Sequence, residues 1–379
     1  MSREICITTF LGTGAGNYGS MLQAYALSEA IRQCGYEATF LGKFQVRSFE
    51  LKHPMLLYAR AYNKLNRKKN QAFFTPVKYE KTEARVRRLE AFREEHFRMR
   101  SFLSGAAWDK AVRDRMIFAA GSDILWNPAR GYPSVPFLDF AYYAGLPRFS
   151  YGSSVGAQEL PKQFYKAYRR YLGSMKEVGV REQSVADMLE GITGRKVTKV
   201  ADPSLLLTRE NWDRFAERAE ISVPVSKDGY ILCYFVMNDA RYWEYVKKMQ
   251  AATGKQIIVL PMHKMDEEQP YDIILDGTPY EFIRLIRDAE FICTDSFHAC
   301  AVSLIYEKDF YLLPRTRKAE DAKYADFLGR YGLKDRTVTN EDRFETKGKT
   351  DYSFAAKQLE KDRAESREFL EKAIEECSK

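Results

Sequence analysis

The sequence has few cysteines, few histidines and no long apolar segment, and each scarcity excludes a class of protein. Its six cysteines are scattered and form no CxxC pair, so neither a disulfide framework nor a zinc site is expected. No stretch approaches the roughly 20 consecutive apolar residues of a membrane-spanning helix, and the first residues do not resemble a signal peptide. We therefore expect a cytoplasmic protein with reduced cysteines in its core.

Positive charge is plentiful but unevenly distributed. Between Lys43 and Arg115 there are 19 Lys or Arg and only 8 Asp or Glu, a surplus of eleven charges. A solvated helical face is the ordinary interpretation of such a segment. The neighbouring Met55-Leu56-Leu57-Tyr58 also suits peripheral contact with an anionic membrane face or with a diphosphate-bearing lipid. No recognised nucleic-acid-binding motif accompanies the charge, so nucleic acid is not expected as a partner.

Strand and helix patterns alternate along most of the 379 residues, of which 45% are hydrophobic. This length exceeds what one core usually organises, and the alternation indicates parallel sheets covered by helices. The predicted fold class is α/β, with two Rossmann-like doubly wound domains facing each other as in the GT-B type of glycosyltransferase. We expect residues 1–207 to form the first domain, with a basic aromatic insertion at about 43–115. Residues 208–345 form the second, and the charged helix in 346–379 packs back across both domains or frays.

A glycine-rich turn follows the first predicted strand. Gly14 to Gly19 match GxGxxG, but a dinucleotide site also requires an acidic residue at the tip of the second strand, where this chain has Lys43. An NAD site is therefore disfavoured. Glycines let backbone N–H groups approach an anion or a sugar at a helix N-terminus, although they also serve tight turns without a ligand. The candidate ligand-binding residues of this turn are Gly16, Asn17, Gly19 and Ser20.

Polar side chains also follow the apolar strand predicted at residues 116–120. Ser122 and Asp123 come directly after it, and Asp123 could orient an acceptor hydroxyl or cap the next helix. Trp126 could form a sugar-stacking platform together with Asn127, or it could simply cover the core.

An arginine ends the strand predicted at residues 178–180. Arg181 is placed to hold a carboxylate or phosphate bidentately. An ion pair between Arg181 and Asp202 at a neighbouring strand end is an equally ordinary alternative.

The segment Thr294-Asp295-Ser296-Phe297-His298 joins a predicted strand to a helix in the second domain. His298 falls in the first helical turn, where neutral imidazole is favoured and can transfer a proton. Ligands bind at such strand ends in open α/β sheets, so His298 is the candidate acid/base, although a hydrogen-bonded core histidine is possible. Thr294 and Ser296 are candidate substrate-binding residues of the same junction.

Five motifs in this order and spacing resemble the polysaccharide pyruvyl transferase family from about residue 4 to about residue 335. They are Gly16-Asn17-Tyr18-Gly19-Ser20-Met21-Leu22-Gln23-Ala24-Tyr25-Ala26-Leu27, Gly121-Ser122-Asp123 with Trp126-Asn127, Val180-Arg181-Glu182, Asp202-Pro203 with the following leucines and Trp212, and Thr294-Asp295-Ser296-Phe297-His298.

The resemblance implies transfer of a pyruvyl group from phosphoenolpyruvate to two hydroxyls of one sugar, forming a cyclic ketal. It implies His298 as acid/base, Arg181 as the anion clamp and Asp295 as the residue that orients His298 or the helix start. Phosphoenolpyruvate is then the donor substrate, with no separate cofactor and no metal. The sugar acceptor belongs to a polysaccharide or a lipid-linked oligosaccharide. Two alternatives stay open: a nucleotide-sugar glycosyltransferase, and a non-catalytic sugar- or lipid-binding relative.

Overall fold

The computed structural model describes residues 3–11, 17–71, 83–128, 135–157, 159–275, 277–314, 318–338, 344 and 349–379. Gly16 and the four residues before it lie outside the described residues, so the structure bears only on the later part of the glycine-rich turn.

Seven parallel strands form the first sheet, in the order β3-β2-β1-β4-β5-β6-β7. They are β1 Glu4–Thr8, β2 Glu37–Phe44, β3 Met99–Phe102, β4 Ile117–Ala120, β5 Arg148–Ser153, β6 Val178–Val180 and β7 Thr198–Lys199. Every residue of β4 and β5 is buried, as a parallel sheet covered on both faces requires.

Helices connect these strands and lead out of the first sheet. They are α1 Tyr18–Gln33, α2 Arg47–Lys52, α3 Pro54–Gln71, α4 Glu83–His96, α5 Gly105–Arg113, α6 Asp139–Tyr143, α7 Tyr165–Leu172, α8 Gln183–Thr193 and α9 Arg209–Ala216. A short 3-10 helix at Pro203–Leu205 begins where Asp202 accepts a hydrogen bond from the Ser204 amide.

Five parallel strands form the second sheet, in the order β10-β9-β8-β11-β12. They are β8 Tyr230–Tyr234, β9 Gln256–Val259, β10 Asp272–Ile273, β11 Phe291–Thr294 and β12 Asp309–Leu312. The helices of this part are α10 Ala240–Thr253, α11 Lys264–Glu267, α12 Pro279–Asp288, α13 Phe297–Ile305 and α14 Lys318–Arg330. Both strand orders are of the doubly wound type, which confirms the predicted fold class.

The last helix, α15 Ser353–Ser378, packs on the first sheet. Phe369 lies so close to Gly179 of β6 that a Cβ there would meet its ring at 2.6 Å. The Ala201 amide donates to Ser366 Oγ at 2.8 Å. The helix thus packs back onto the domain from which the chain started. The exact division into residues 1–207, 208–345 and 346–379 stays a prediction.

Two features of the structure concern the few cysteines and the lack of a long apolar segment. All six cysteines are free thiols, five of them buried and Cys34 partly exposed. Across the ranges that the structure describes, no helix is long and apolar enough to cross a membrane.

Candidate active site

The N-terminus of α1 is held by its own side chains. Asn17 caps the helix, its Oδ1 accepting from the Gly19 amide at 2.9 Å, while Ser20 Oγ donates to the Asn17 carbonyl at 2.9 Å. The buried Gln23 amide donates to the Ser20 carbonyl and to Thr9 Oγ1. From Asn17 onward the start of α1 is therefore held by hydrogen bonds within the protein, with Asn17 partly exposed.

The N-terminus of α13 is built in the same manner at the end of β11. Thr294 Oγ1 donates to the Tyr234 carbonyl at 2.6 Å and accepts from the Ser296 amide at 3.0 Å. Ser296 Oγ caps the helix by accepting from the Ala299 amide. Thr294 and Ser296 are both buried and bind backbone groups in this conformation, and their role as substrate-binding residues stays a prediction.

Asp295 ties two strand ends together. Its buried carboxylate accepts from the backbone amides of Val236 at 2.6 Å and Met237 at 3.0 Å, just beyond β8. Its backbone carbonyl accepts from the Tyr324 hydroxyl at 2.8 Å. Both carboxylate oxygens of Asp295 thus accept backbone amides just beyond β8, and its predicted role in orienting His298 or the helix start stays a prediction.

His298 lies where the two domains meet. A Cβ built on Gly19 of α1 would stand 2.1 Å from His298 Nδ1, so only a glycine fits at this position. On the other side, His298 Nε2 is 3.7 Å from Asp202 Oδ2 in the first domain. The two ring nitrogens therefore face two separate elements of the opposite domain.

Arg181 shares the carboxylate of Asp202 with His298. Its Nη1 donates to Asp202 Oδ2 at 3.0 Å and its Nε to Glu182 Oε1 at 3.1 Å. The guanidinium also stacks over the Phe297 ring at 5.2 Å, which is a second contact between the domains. The ion pair that the sequence offered as an alternative is confirmed, while the role of Arg181 as an anion clamp stays a prediction.

Electrostatic interactions keep Arg181 and Asp202 ionised. Burial lowers the pKa of Arg181, but the carboxylates of Glu182, Asp202 and Asp123 outweigh it and raise that pKa above its ordinary value. Burial likewise raises the pKa of Asp202, but His298, Arg181 and hydrogen bonds from Ser204 outweigh it and lower the pKa. Asp202 is thus a buried anion beside the Arg181 guanidinium and the His298 ring, and sequence analysis missed its place beside His298.

Asp123 lies within electrostatic reach of this cluster in an unusual backbone conformation. Its φ of 76° is left-handed, which is rare and costly for a residue other than glycine. Its Oδ1 accepts from the Ile124 amide at 2.7 Å, and its role in orienting an acceptor hydroxyl or capping the next helix stays a prediction. Ser122 beside it is fully buried near Gly152, so its hydroxyl does not face the crevice here.

Trp126 and Asn127 belong to the core. The Trp126 indole is fully buried, donates to the Pro136 carbonyl at 3.0 Å and stacks with Phe137. Asn127 is also buried and donates to the Val155 carbonyl at 3.1 Å. The burial of the ring agrees with the alternative that Trp126 covers the core, and a role in stacking a sugar stays a prediction.

Four of the predicted site residues keep part of their surface exposed at the crevice: Asn17, Asp123, Arg181 and His298. A cavity of about 50 Å³ adjoins Arg181 and Phe297, with Arg330 of α14 and Asp362 of α15 on its rim. This volume has room for a few water molecules. Within the described residues, no group of three or more His, Cys, Asp or Glu is placed to hold a metal ion.

The chain is thus a doubly wound two-domain α/β protein with a histidine and an arginine at its domain junction. The family model of polysaccharide pyruvyl transferase matches residues 17–316, and the chain belongs to that family. No curated protein sequence matches the chain significantly.

Several solved structures resemble the chain at low identity. The glycotransferase of kitacinnamycin has 13% identity and a TM-score of 0.49, with 100% of this chain and 99% of the other covered. UDP-N-acetylglucosamine 2-epimerase from Rickettsia bellii has 11% identity and a TM-score of 0.49, covering 100% and 96%. UDP-GlcNAc 2-epimerase from Neisseria meningitidis has 11% identity and a TM-score of 0.49, covering 98% and 93%. Similarity at this level does not transfer a function.

Proposed function

We propose that the protein transfers a pyruvyl group from phosphoenolpyruvate to two hydroxyls of one sugar, in a polysaccharide or a lipid-linked oligosaccharide. The observation that carries this proposal is the meeting of His298 and Arg181 on the single carboxylate of Asp202. The chemistry requires a proton donor and an anion-binding cation, and we assign these roles to His298 and Arg181. The family membership supports the same assignment.

His298 is the proposed acid and base. Protonation of the methylene carbon of phosphoenolpyruvate makes the neighbouring carbon electrophilic, and the first sugar hydroxyl adds to that carbon and gives up its proton. The carbon–oxygen bond to phosphate then breaks and inorganic phosphate leaves. The second hydroxyl adds to the same carbon and loses its proton, which closes the ketal. Atoms balance with phosphoenolpyruvate and the sugar diol as the only reactants.

Arg181 is the proposed clamp for the carboxylate or phosphate of the donor. Two of its nitrogens are engaged by Glu182 and Asp202, so a bound anion would replace one of these partners or use the remaining donors. The N-termini of α1 and α13 also converge on this point from opposite domains, at Gly19 and His298. Both helix dipoles favour a negative charge there, and no metal is needed to balance the phosphate.

Asn17 and Asp123 are the proposed contacts for the acceptor hydroxyls. Both are partly exposed next to the cluster, and Asp123 keeps one carboxylate oxygen beyond its bond to the Ile124 amide. A carboxylate oxygen can accept a hydrogen bond from a sugar hydroxyl and so fix which pair of hydroxyls faces the donor. Since His298 touches Gly19 in the present conformation, substrates would bind after the domains separate.

Incubation with phosphoenolpyruvate and a panel of sugar acceptors tests the proposal. We expect release of inorganic phosphate together with an acceptor that gains the mass of pyruvic acid less water. Replacement of His298 with alanine should lower both signals by roughly 100-fold or more. The same change at His53, which packs against Phe49, should leave them intact. Release of a nucleotide from a nucleotide sugar, with no phosphate from phosphoenolpyruvate, would identify a glycosyltransferase instead.

A further inference from the structure

Helix α3 exposes an apolar face that the fold does not cover. Leu65 is 83% exposed and Tyr58 is 59% exposed, and Leu57 lies beside them at 38%. The opposite side of the same helix, at Leu56 and Ala59, is buried against the domain. A helix that is anchored by one apolar side and presents a second to solvent has a face suited to a partner.

The charge of this segment identifies the kind of partner. From Leu51 to Tyr79 the sequence contains no Asp or Glu. Six basic residues fall between Lys52 and Lys69, and Lys52 and Lys64 are both exposed in the structure. Clustered positive charge next to large apolar groups on one helix matches the surface of an anionic bilayer, where the charges meet lipid phosphates and the apolar groups enter the acyl boundary. A nucleic acid would satisfy the charges but leave Tyr58 and Leu65 in water.

The position of α3 in the fold is consistent with this partner. The helix follows the carboxyl end of β2 through α2, and β2 is parallel to β1, β4 and β6. The candidate active site follows the carboxyl ends of these same parallel strands. We propose that α3 docks the protein on an anionic membrane, so that the crevice side of the first domain lies towards the lipid. This inference does not depend on the reaction that the crevice performs.

Vesicle co-sedimentation of the full-length protein tests the inference without any enzyme assay. One set of vesicles contains equal parts phosphatidylcholine and phosphatidylglycerol, and the other contains phosphatidylcholine alone. We expect binding to the anionic vesicles at low salt, at least roughly tenfold weaker binding to the neutral ones, and weakening as salt screens the charges. Absence of binding at low salt, or binding that salt does not alter, would overturn the proposal.

Two variants separate the contributions of the face. The double variant Tyr58→Ser and Leu65→Ser removes the exposed apolar groups, and Lys52→Gln with Lys64→Gln removes two exposed charges. Each should bind anionic vesicles at least about tenfold more weakly, with an unchanged circular dichroism spectrum because these side chains are exposed. The matched control is Phe354→Ser, which removes a 60% exposed aromatic ring from α15 and should bind as the wild type does.

The remaining outcomes are equally decisive. If the apolar variant binds vesicles as tightly as the wild type, α3 is not the docking element. If the protein binds a DNA duplex and no vesicle, and the apolar variant still binds the duplex fully, the positive charge serves nucleic acid and the membrane proposal is refuted.

Discussion

Replacing Gly19 with alanine is the most direct test of the contact between Gly19 and His298. The new Cβ would stand 2.1 Å from Nδ1, 2.6 Å from Cγ and 2.7 Å from Cε1 of the His298 ring. Ordinary contacts of this kind begin at about 3.4 Å. The ring would therefore have to move by more than an ångström, or the two domains would have to close less completely.

The expected loss is catalytic and not structural. A misplacement of about 1 Å in a catalytic group can lower the rate by roughly 100-fold, so we expect a loss of that order in kcat for phosphate release from phosphoenolpyruvate. Overpacking costs about 1–3 kcal/mol, but removal of a glycine from a helix returns roughly 0.5–1 kcal/mol. The free energy of unfolding should therefore fall by no more than about 2.5 kcal/mol.

A matched glycine provides the control. Gly191 of α8 has nothing within 4 Å of an added Cβ, so Gly191→Ala should keep full activity. A double-mutant cycle completes the experiment, because Gly19→Ala should cause no further loss of the residual activity of His298→Ala if it acts through the imidazole. Wild-type kcat in Gly19→Ala, or fully additive losses in the cycle, would refute the proposed contact.

Three other substitutions test separate parts of the site. Arg181→Lys should lower kcat/KM for phosphoenolpyruvate at least about tenfold, measured by phosphate release, because lysine lacks the planar fork that binds an anion bidentately. Asp202 has a pKa below its ordinary 3.8, so it stabilises the fold above that pH, and this contribution is lost as the pH falls through the lowered pKa. The stability difference between wild type and Asp202→Asn should therefore shrink on acidification in thermal unfolding, and a difference that grows would contradict the charge assignment. Trp126→Phe should lower the free energy of unfolding by about 1–3 kcal/mol, measured by denaturant titration, because it strands the Pro136 carbonyl and opens a void. An increased KM for the acceptor at unchanged stability would restore Trp126 to the substrate site.

Local pattern predicted the strands and the junctions between strands and helices. The buried strand β4 is a continuous apolar run, and β11 ends at the segment that carries His298, so both could be found from sequence. The loop beyond β4 could not be resolved in this way. Whether Trp126 covers the core or faces the crevice depends on Pro136 and Phe137, which lie further along the chain and contact its ring in the fold.

Contacts between distant segments are the second feature that could not be predicted from the sequence. Gly19 was predicted as part of a ligand-binding turn, yet its lack of a side chain is also required by His298 of the other domain. Asp202 was predicted only as a partner for Arg181, and its second neighbour emerged from the packing of the two domains. Charge and glycine content mark such residues as candidates, but they do not say which residue of a remote strand end will meet them.

The contacts of Arg181, Asp202 and His298 are divided between the domains in a way that indicates which part of the site forms first and which forms on closure. The ion pair of Arg181 and Asp202 lies wholly within the first domain, at the ends of neighbouring strands β6 and β7. The contacts of His298 with Gly19 and Asp202 join the two domains, so separation must break them while it leaves the ion pair intact. An open enzyme would therefore keep its anion-binding arginine in place and would gain its acid/base on closure. In the proposed reaction, such an arrangement would bring the proton donor to the enol only after the donor and acceptor have displaced water, and so would protect the electrophilic carbon from hydrolysis.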